Sequence, residues 1–267
     1  MRPPHTNAEG KPEIRLTEEQ RYIFDTKGWV CIPSVLTESE VTEMRDFCYR
    51  LRRDPESLPA HHRSSVGGPL LSLIDQPNVL GFMNEFVSHG ANATEQGYGF
   101  RLEGSFLALR KKGETNFSPH GGSGYFNVPG NSHSYNMLPG QIHPGLTRAV
   151  FELNPVEYRK GGTLFLSGSH KAAFPWPPSV HSPESPLWET YSCPAGSLLI
   201  FTEAVTHTGD EWRTEAWDRV AVFNCYNVIN AKWHKWTPHP DLLVEMHPLR
   251  KSLVRGVYCE DNAVLEE

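Results

Sequence analysis

The chain has 267 residues, of which 38% are hydrophobic and 21% charged, with a formal net charge of −6. That is enough apolar material for one large core without staples. No apolar run approaches the roughly 18 to 20 residues of a membrane span, and the acidic balance gives no electrostatic reason to expect nucleic acid. Five scattered cysteines, Cys31, Cys48, Cys193, Cys225 and Cys259, are odd in number and never spaced as CxxC. This excludes a disulfide framework and a cysteine zinc site, and points to a reducing, cytoplasmic setting.

Residues 1–16 begin MRPPHTNAEG, without an apolar signal region, and read as a flexible polar tail. Residues 17–240 form the expected domain. Thr17-Glu-Glu-Gln20 is a capping box that opens a helix, which Gly28 is placed to stop. Trp29-Val-Cys-Ile32 is a short β-prone run. A second capping box, Thr37-Glu-Ser-Glu40, leads into Val41, Met44, Cys48 and Leu51, the spacing of one buried helical face. A third helix is expected from Pro77, carrying Val79, Leu80, Met83, Phe86 and Val87. From about residue 98, short aromatic and branched runs alternate with turn residues. Phe100–Leu109, Thr147–Leu153, Thr163–Ser167, Ser197–Thr206 and Arg219–Val228 are the expected strands. Helices first and spaced strands afterwards imply a mainly β (α+β) antiparallel sandwich or barrel with helices packed on one sheet. The loops at 112–145 and 172–193 are long enough to wall a site. Residues 241–267 read as a C-terminal extension.

Three residues stand out for chemistry. His120 lies in the glycine-flanked stretch Phe117-Ser-Pro-His-Gly-Gly-Ser-Gly-Tyr-Phe126, His207 ends the run beginning at Gly196, and Arg219 opens the alternating strand that follows. Two histidines at strand ends bind Fe(II) on one face, and an arginine on the next strand forks the carboxylate of a chelating co-substrate.

With these residues the chain resembles the phytanoyl-CoA dioxygenase family of Fe(II)/2-oxoglutarate enzymes over roughly residues 20–228. The words that carry the resemblance are Phe24-Asp-Thr-Lys-Gly-Trp-Val-Cys-Ile-Pro33, Gly161-Gly-Thr-Leu-Phe-Leu-Ser-Gly-Ser-His170, Ala195-Gly-Ser-Leu-Leu-Ile-Phe201, and the order His120, His207, Arg219. It is most similar to a bacterial branch whose first motif reads His-Gly-Gly. The resemblance implies a double-stranded β-helix (jelly roll, cupin-like), iron held by His120 and His207, 2-oxoglutarate anchored by Arg219, and a small-molecule substrate oxidised with O2. A CoA thioester, a nucleotide, an amino acid and a terpenoid all fit, and oligomeric state is left open.

The departure is Gly122, which stands where most of the family carries the Asp or Glu of a two-histidine, one-carboxylate triad. Three readings follow. In a halogenase-like site, chloride fills the position facing Gly122. In a hydroxylase, the position stays open or a carboxylate from elsewhere fills it. In the third reading, the fold has lost iron and only binds a ligand. Glu203 is the first carboxylate to weigh, four residues before His207 and so on the same side of a strand. If the strand runs on, however, four residues at roughly 3.3 Å each separate the two Cα atoms by about 13 Å, which gives Glu203 a supporting role. Asp210 and His133 are the other candidates, and His133 also completes a three-histidine, cupin-like alternative. His170 reads as a structural turn residue. His143, Tyr135 and Asn136 are placed at the pocket border, and Lys111 and Lys112 as solvated lysines or contacts to the second carboxylate of 2-oxoglutarate. Trp176, Trp188, Trp212, Trp217, Trp233 and Trp236 divide between core and pocket wall.

Overall fold

The computed structural model describes residues 3–88, 93–122 and 133–257. Helix α1 spans Glu18–Lys27, and its capping box is formed in full: Gln20 N donates to Thr17 Oγ1 (3.2 Å) and Thr17 N donates to Gln20 Oε1 (3.0 Å). Gly28 ends it in the left-handed region (φ 82°), as a glycine C-cap should. Helix α2 (Glu38–Arg53) repeats the box at Thr37 and Glu40 and buries Val41, Met44, Phe47 and Cys48. Helix α3 (Pro77–Phe86) starts at the expected proline, with the side chain of Gln76 capping Asn78 N at 2.7 Å.

The strands build a five-stranded antiparallel sheet. Its order is β1 (Trp29–Ile32), β7 (Ser197–Thr202), β5 (Thr147–Glu152), β9 (Arg219–Val228), β2 (Phe100–Arg110). A hairpin, β3 (Asn136–Leu138) with β4 (Gln141–His143), stands apart. The second face is small: β6 (Thr163–Phe165) pairs with β8 (His207–Gly209), and single bridges add His120 to His207 and Glu189 to Phe165. All these pairings are antiparallel, so the chain is mixed α and β with a mostly antiparallel sheet.

The large sheet is buried on both sides, which explains the unbroken burial along β7 and over all but the last residue of β9. One face (Ala149, Phe151, Leu198, Ile200, Val220, Val222) packs on Phe24, Val41, Met44, Phe82 and Met83 from the three helices. Each of these side chains larger than alanine contributes about 1.5–3 kcal/mol by leaving water. The other face (Val150, Leu199, Phe201, Ala221, Phe223) meets Phe165, Tyr191 and Trp212 from the small-sheet side. Between these layers lies the site.

Both ends are more tightly held than the sequence suggests. Within the expected tail, Ala8 N donates to Asp75 Oδ2 (2.9 Å), Ile14 N to Pro77 O (2.9 Å), and Asn7 is buried. At the other end, α4 (Pro240–Glu245) and α5 (Pro248–Ser252) precede Leu253. Leu242, Met246 and Leu253 join the main core, and Leu253 O accepts from Leu102 N at 2.8 Å. The reason is long-range: partners 63 or more residues away in sequence, counting from Ile14 to Pro77, fix both segments. The four cysteines among the described residues are free. No helix among the described residues is long and apolar enough to cross a membrane.

Candidate metal centre

The chain does not run on as one strand from Ser197 to Thr206. Strand β7 stops at Thr202, whose side-chain oxygen accepts from Ala204 N (3.1 Å) while its carbonyl accepts from Val205 N (3.1 Å). This hydroxyl-braced turn reverses the chain before β8 begins at His207. The 13 Å separation derived for an extended strand therefore does not apply. Glu203 Oε2 lies 3.7 Å from His207 Nε2, and a ligand atom from each of His120, Glu203 and His207 falls within 4.8 Å of the other two.

His120 and His207 are locked as a narrow antiparallel pair. His120 N donates to His207 O (3.1 Å), His207 N donates to His120 O (2.9 Å), and the rings are 4.3 Å apart. Each ring is also oriented by a backbone carbonyl: His120 Nδ1 sits 2.6 Å from Ser118 O, and His207 Nδ1 sits 2.8 Å from Val205 O. A carbonyl only accepts, so it fixes the proton on Nδ1 and leaves the Nε2 lone pair free to ligate. Burial pushes the pKa of His207 down to about 4, against the opposing pull of Glu203. Burial alone would raise the Glu203 carboxyl, but the guanidinium of Arg148 and the neighbouring His207 hold it at about 2. Two imidazoles and one carboxylate are the donor set of a facial iron site.

The two glycines after His120 serve close backbone approach. A Cβ on Gly121 (φ 78°) would come within 2.7 Å of the carbonyls of Glu203 and Val205, and one on Gly122 (φ 85°) would run into Thr206 Oγ1. Thr206 Oγ1 in turn donates to Gly121 O (3.2 Å). The glycine pair is thus the surface against which the turn carrying Glu203 is packed.

A cavity of about 220 Å³ opens beside these groups, lined among others by Phe106, Arg110, Arg148, Phe223 and Arg219. Arg219 is buried to 1% exposure. Its Nε and Nη2 donate to the carboxylate of Glu152 (3.3 and 2.5 Å), and Nη2 also lies 3.3 Å from Thr163 Oγ1 and from Tyr191 OH. Its Nη1 is buried with no hydrogen-bond partner. Such a donor is expensive to leave unpaired, and a carboxylate entering the cavity would satisfy it.

The other candidates go elsewhere. Asp210 accepts from Arg213 Nη1 (2.8 Å) and Glu211 N (2.8 Å). His133 stacks edge-on against Trp233 at 4.4 Å and is not in the three-donor cluster. His170 is structural, with Nε2 2.9 Å from Asp25 O. Tyr135 and His143 face α1 and α3 rather than the cavity: Tyr135 OH donates to Asp25 Oδ1 (2.8 Å), and His143 Nδ1 is 3.2 Å from Phe86 O. Lys112 pairs with Glu215 on the surface, and Lys111 is exposed. Trp188, Trp212 and Trp217 spend their indole N–H groups on the carbonyls of Ser182, Trp217 and Pro155. A second cluster, His61, His62 and Glu245, is held differently. Gly68 N donates to His62 Nδ1 (3.0 Å), which fixes the proton on Nε2 and makes that atom a donor to Glu245 rather than a ligand. Arg110, Arg148 and Glu152 belong to the site and carry no motif in the sequence.

No protein-family profile matches the chain, and neither does any curated protein sequence. Solved structures do. Apo HygX from Streptomyces hygroscopicus superposes with a TM-score of 0.64 at 24% identity, over 84% of this chain and 90% of that one. The non-heme alpha ketoglutarate dependent carbocyclase SnoK from nogalamycin biosynthesis matches with a TM-score of 0.58 at 17% identity, over 91% and 94%. The related epimerase SnoN matches at 0.56 and 18%, over 81% and 85%. This chain shares their fold. HygX has been solved with iron, with nickel and 2-oxoglutarate, and with hygromycin B in addition.

Proposed function

We propose that the chain is a non-haem iron, 2-oxoglutarate-dependent oxidoreductase on a double-stranded β-helix, functionalising a C–H bond of a small molecule. His120, Glu203 and His207 hold the metal and Arg219 anchors 2-oxoglutarate. One observation carries this reading: both imidazoles present Nε2 toward one carboxylate while backbone carbonyls tie down their other nitrogens. Bound there, Fe(II) and 2-oxoglutarate would supply O2-dependent oxidation of the substrate, with the co-substrate leaving as succinate and CO2. The protein's own part is to present three fixed donors, keep His207 neutral by burial, and close one end of the cavity with buried positive charge.

Within the superfamily, the order of His120, His207 and Arg219 supports a kinship with the phytanoyl-CoA dioxygenases, with the triad carboxylate supplied by Glu203 instead of the residue at 122. A halogenase needs an exchangeable position in place of that carboxylate. Because Glu203 reaches the imidazoles and Thr206 fills the space beside Gly122, hydroxylation or a related oxidation is favoured over chlorination. The small molecules in the solved neighbours support a small-molecule substrate here.

Anaerobic titration with Fe(II) and 2-oxoglutarate should give the weak visible band of the iron chelate, and chloride should leave it unmoved. Glu203→Ala should weaken Ni(II) binding at least about tenfold while retaining a cooperative melt. Unchanged metal affinity in that variant sinks the assignment of Glu203. A chloride-dependent band restores the halogenase reading.

A further inference from the structure

Arg110 and Arg219 stand directly opposite each other in the β2–β9 register, and both line the same cavity. Like charges placed across a strand pair repel, so a close pair of guanidiniums needs a reason. Glu152 offsets one of them, since both its oxygens engage Arg219. Arg110 has no comparable carboxylate: its hydrogen bond is a long one, Nη1 to Asp210 O at 3.4 Å. Its guanidinium lies over Gly209, where an added Cβ would stand 2.6 Å from Nη1 and 2.9 Å from Nη2. Burial and the neighbouring Arg219 push Arg110 down to about 10, as expected for a cation held in a site that lacks its counter-ion. This end of the cavity therefore carries an excess positive charge, a buried unpaired Nη1 on Arg219, and a weakly engaged fork on Arg110.

We propose that Arg110 is the second half of the co-substrate's anion site, gripping the far carboxylate of a 2-oxo dicarboxylate together with Arg219 and thereby selecting such acids over 2-oxo monocarboxylates. This rests on the reading of the site as a 2-oxoglutarate site, and extends it by naming the residue that sets selectivity. Gly209 belongs to the same device, because the absence of a side chain there lets Arg110 lie flat against β8.

The test compares 2-oxoglutarate with 2-oxopentanoate, which has the same chain length but ends in a methyl group. Binding of each acid to the Ni(II)-loaded protein is measured by calorimetry. The wild type should prefer 2-oxoglutarate. Arg110→Met should weaken 2-oxoglutarate by about ten- to hundredfold and leave 2-oxopentanoate unchanged, the loss expected for one charge-assisted fork. Gly209→Ala keeps the charge, has no positive φ to strain, and displaces only the tip of Arg110; it should shift the preference in the same direction by a smaller factor. A preference that survives Arg110→Met, or a loss equal for both acids, overturns the proposal and leaves the 2-oxoglutarate reading standing. A wild-type protein that binds neither acid overturns that reading as well.

Discussion

Gly122 and Thr206 occupy the same space: any Cβ at 122 would run into the hydroxyl of Thr206, which itself bonds Gly121 O. The glycine that looks like a missing ligand is a packing requirement of the turn that delivers Glu203.

Gly122→Asp should therefore fail to rebuild the usual triad. It places a side chain at φ 85° and against Thr206, an expected loss of about 2–4 kcal/mol from backbone strain and overpacking together. Thermal melts and Ni(II) titration check this. A variant as stable as the wild type that binds metal more tightly would show that position 122 does face the ion.

Arg148 holds the Glu203 carboxylate from the side away from His207, with both side chains largely buried. Arg148→Met should lower stability by about 3 kcal/mol without metal, because a buried carboxylate loses its partner. A bound cation replaces part of that charge. The rise in melting temperature on adding Ni(II) should therefore be larger in the variant than in the wild type. An identical rise in both proteins would separate Glu203 from the metal.

Glu152 and Tyr191 position Arg219. Tyr191 OH donates to Glu152 Oε1 at 2.6 Å, and the Glu152–Arg219 pair is fully buried. Tyr191→Phe should cost about 1.5–3 kcal/mol, the range of a hydrogen bond to a charged group. Glu152→Ala should cost about 3–5 kcal/mol, since it strands a buried guanidinium. Denaturant midpoints measure both. A larger loss in Tyr191→Phe than in Glu152→Ala would contradict the charge argument.

His170 is pushed down to about 4 by burial, against the hydrogen bond to Asp25 O that favours its charged form. An unfolded histidine binds its proton near 6.5, so between those values the unfolded chain holds more protons and stability rises with pH. The contribution is fully present above about pH 6.5 and is lost as pH falls through about 4, amounting to about 3 kcal/mol. His170→Gln keeps a donor for Asp25 O without titrating. Its stability profile between pH 4 and 6.5 should be flatter than that of the wild type, and parallel profiles would rule the effect out.

What the sequence made legible was local. The capping boxes at Thr17 and Thr37, Pro77 at a first helical turn, and the alternation from Arg219 to Val228 each act within a few residues, and the elements appear where expected. The same holds for His120, His207 and Arg219, which the fold brings to one cavity. The turn after Thr202 was hidden because its residues are as branched and buried as the strand before it; a threonine hydroxyl two residues ahead of Ala204 was the available signal. Arg110 and Arg148 owe their positions to register across β9, at Arg219 and Cys225, a long-range property that no local pattern encodes. The bonds that Asp75 and Pro77 make to the N-terminal segment have no local signal for the same reason.

The turn between β7 and β8 puts Glu203 and His207 on one five-residue span, with His120 alone arriving from a distant part of the chain. In the proposed metal site, carboxylate and imidazole together would form a local chelate, closed by a loop so short that its entropic cost is small. His120 is tied to this span by its two backbone bonds with His207. In a site built this way, the two glycines after His120 are constrained by the shape of that short loop and not by any ligating role of their own.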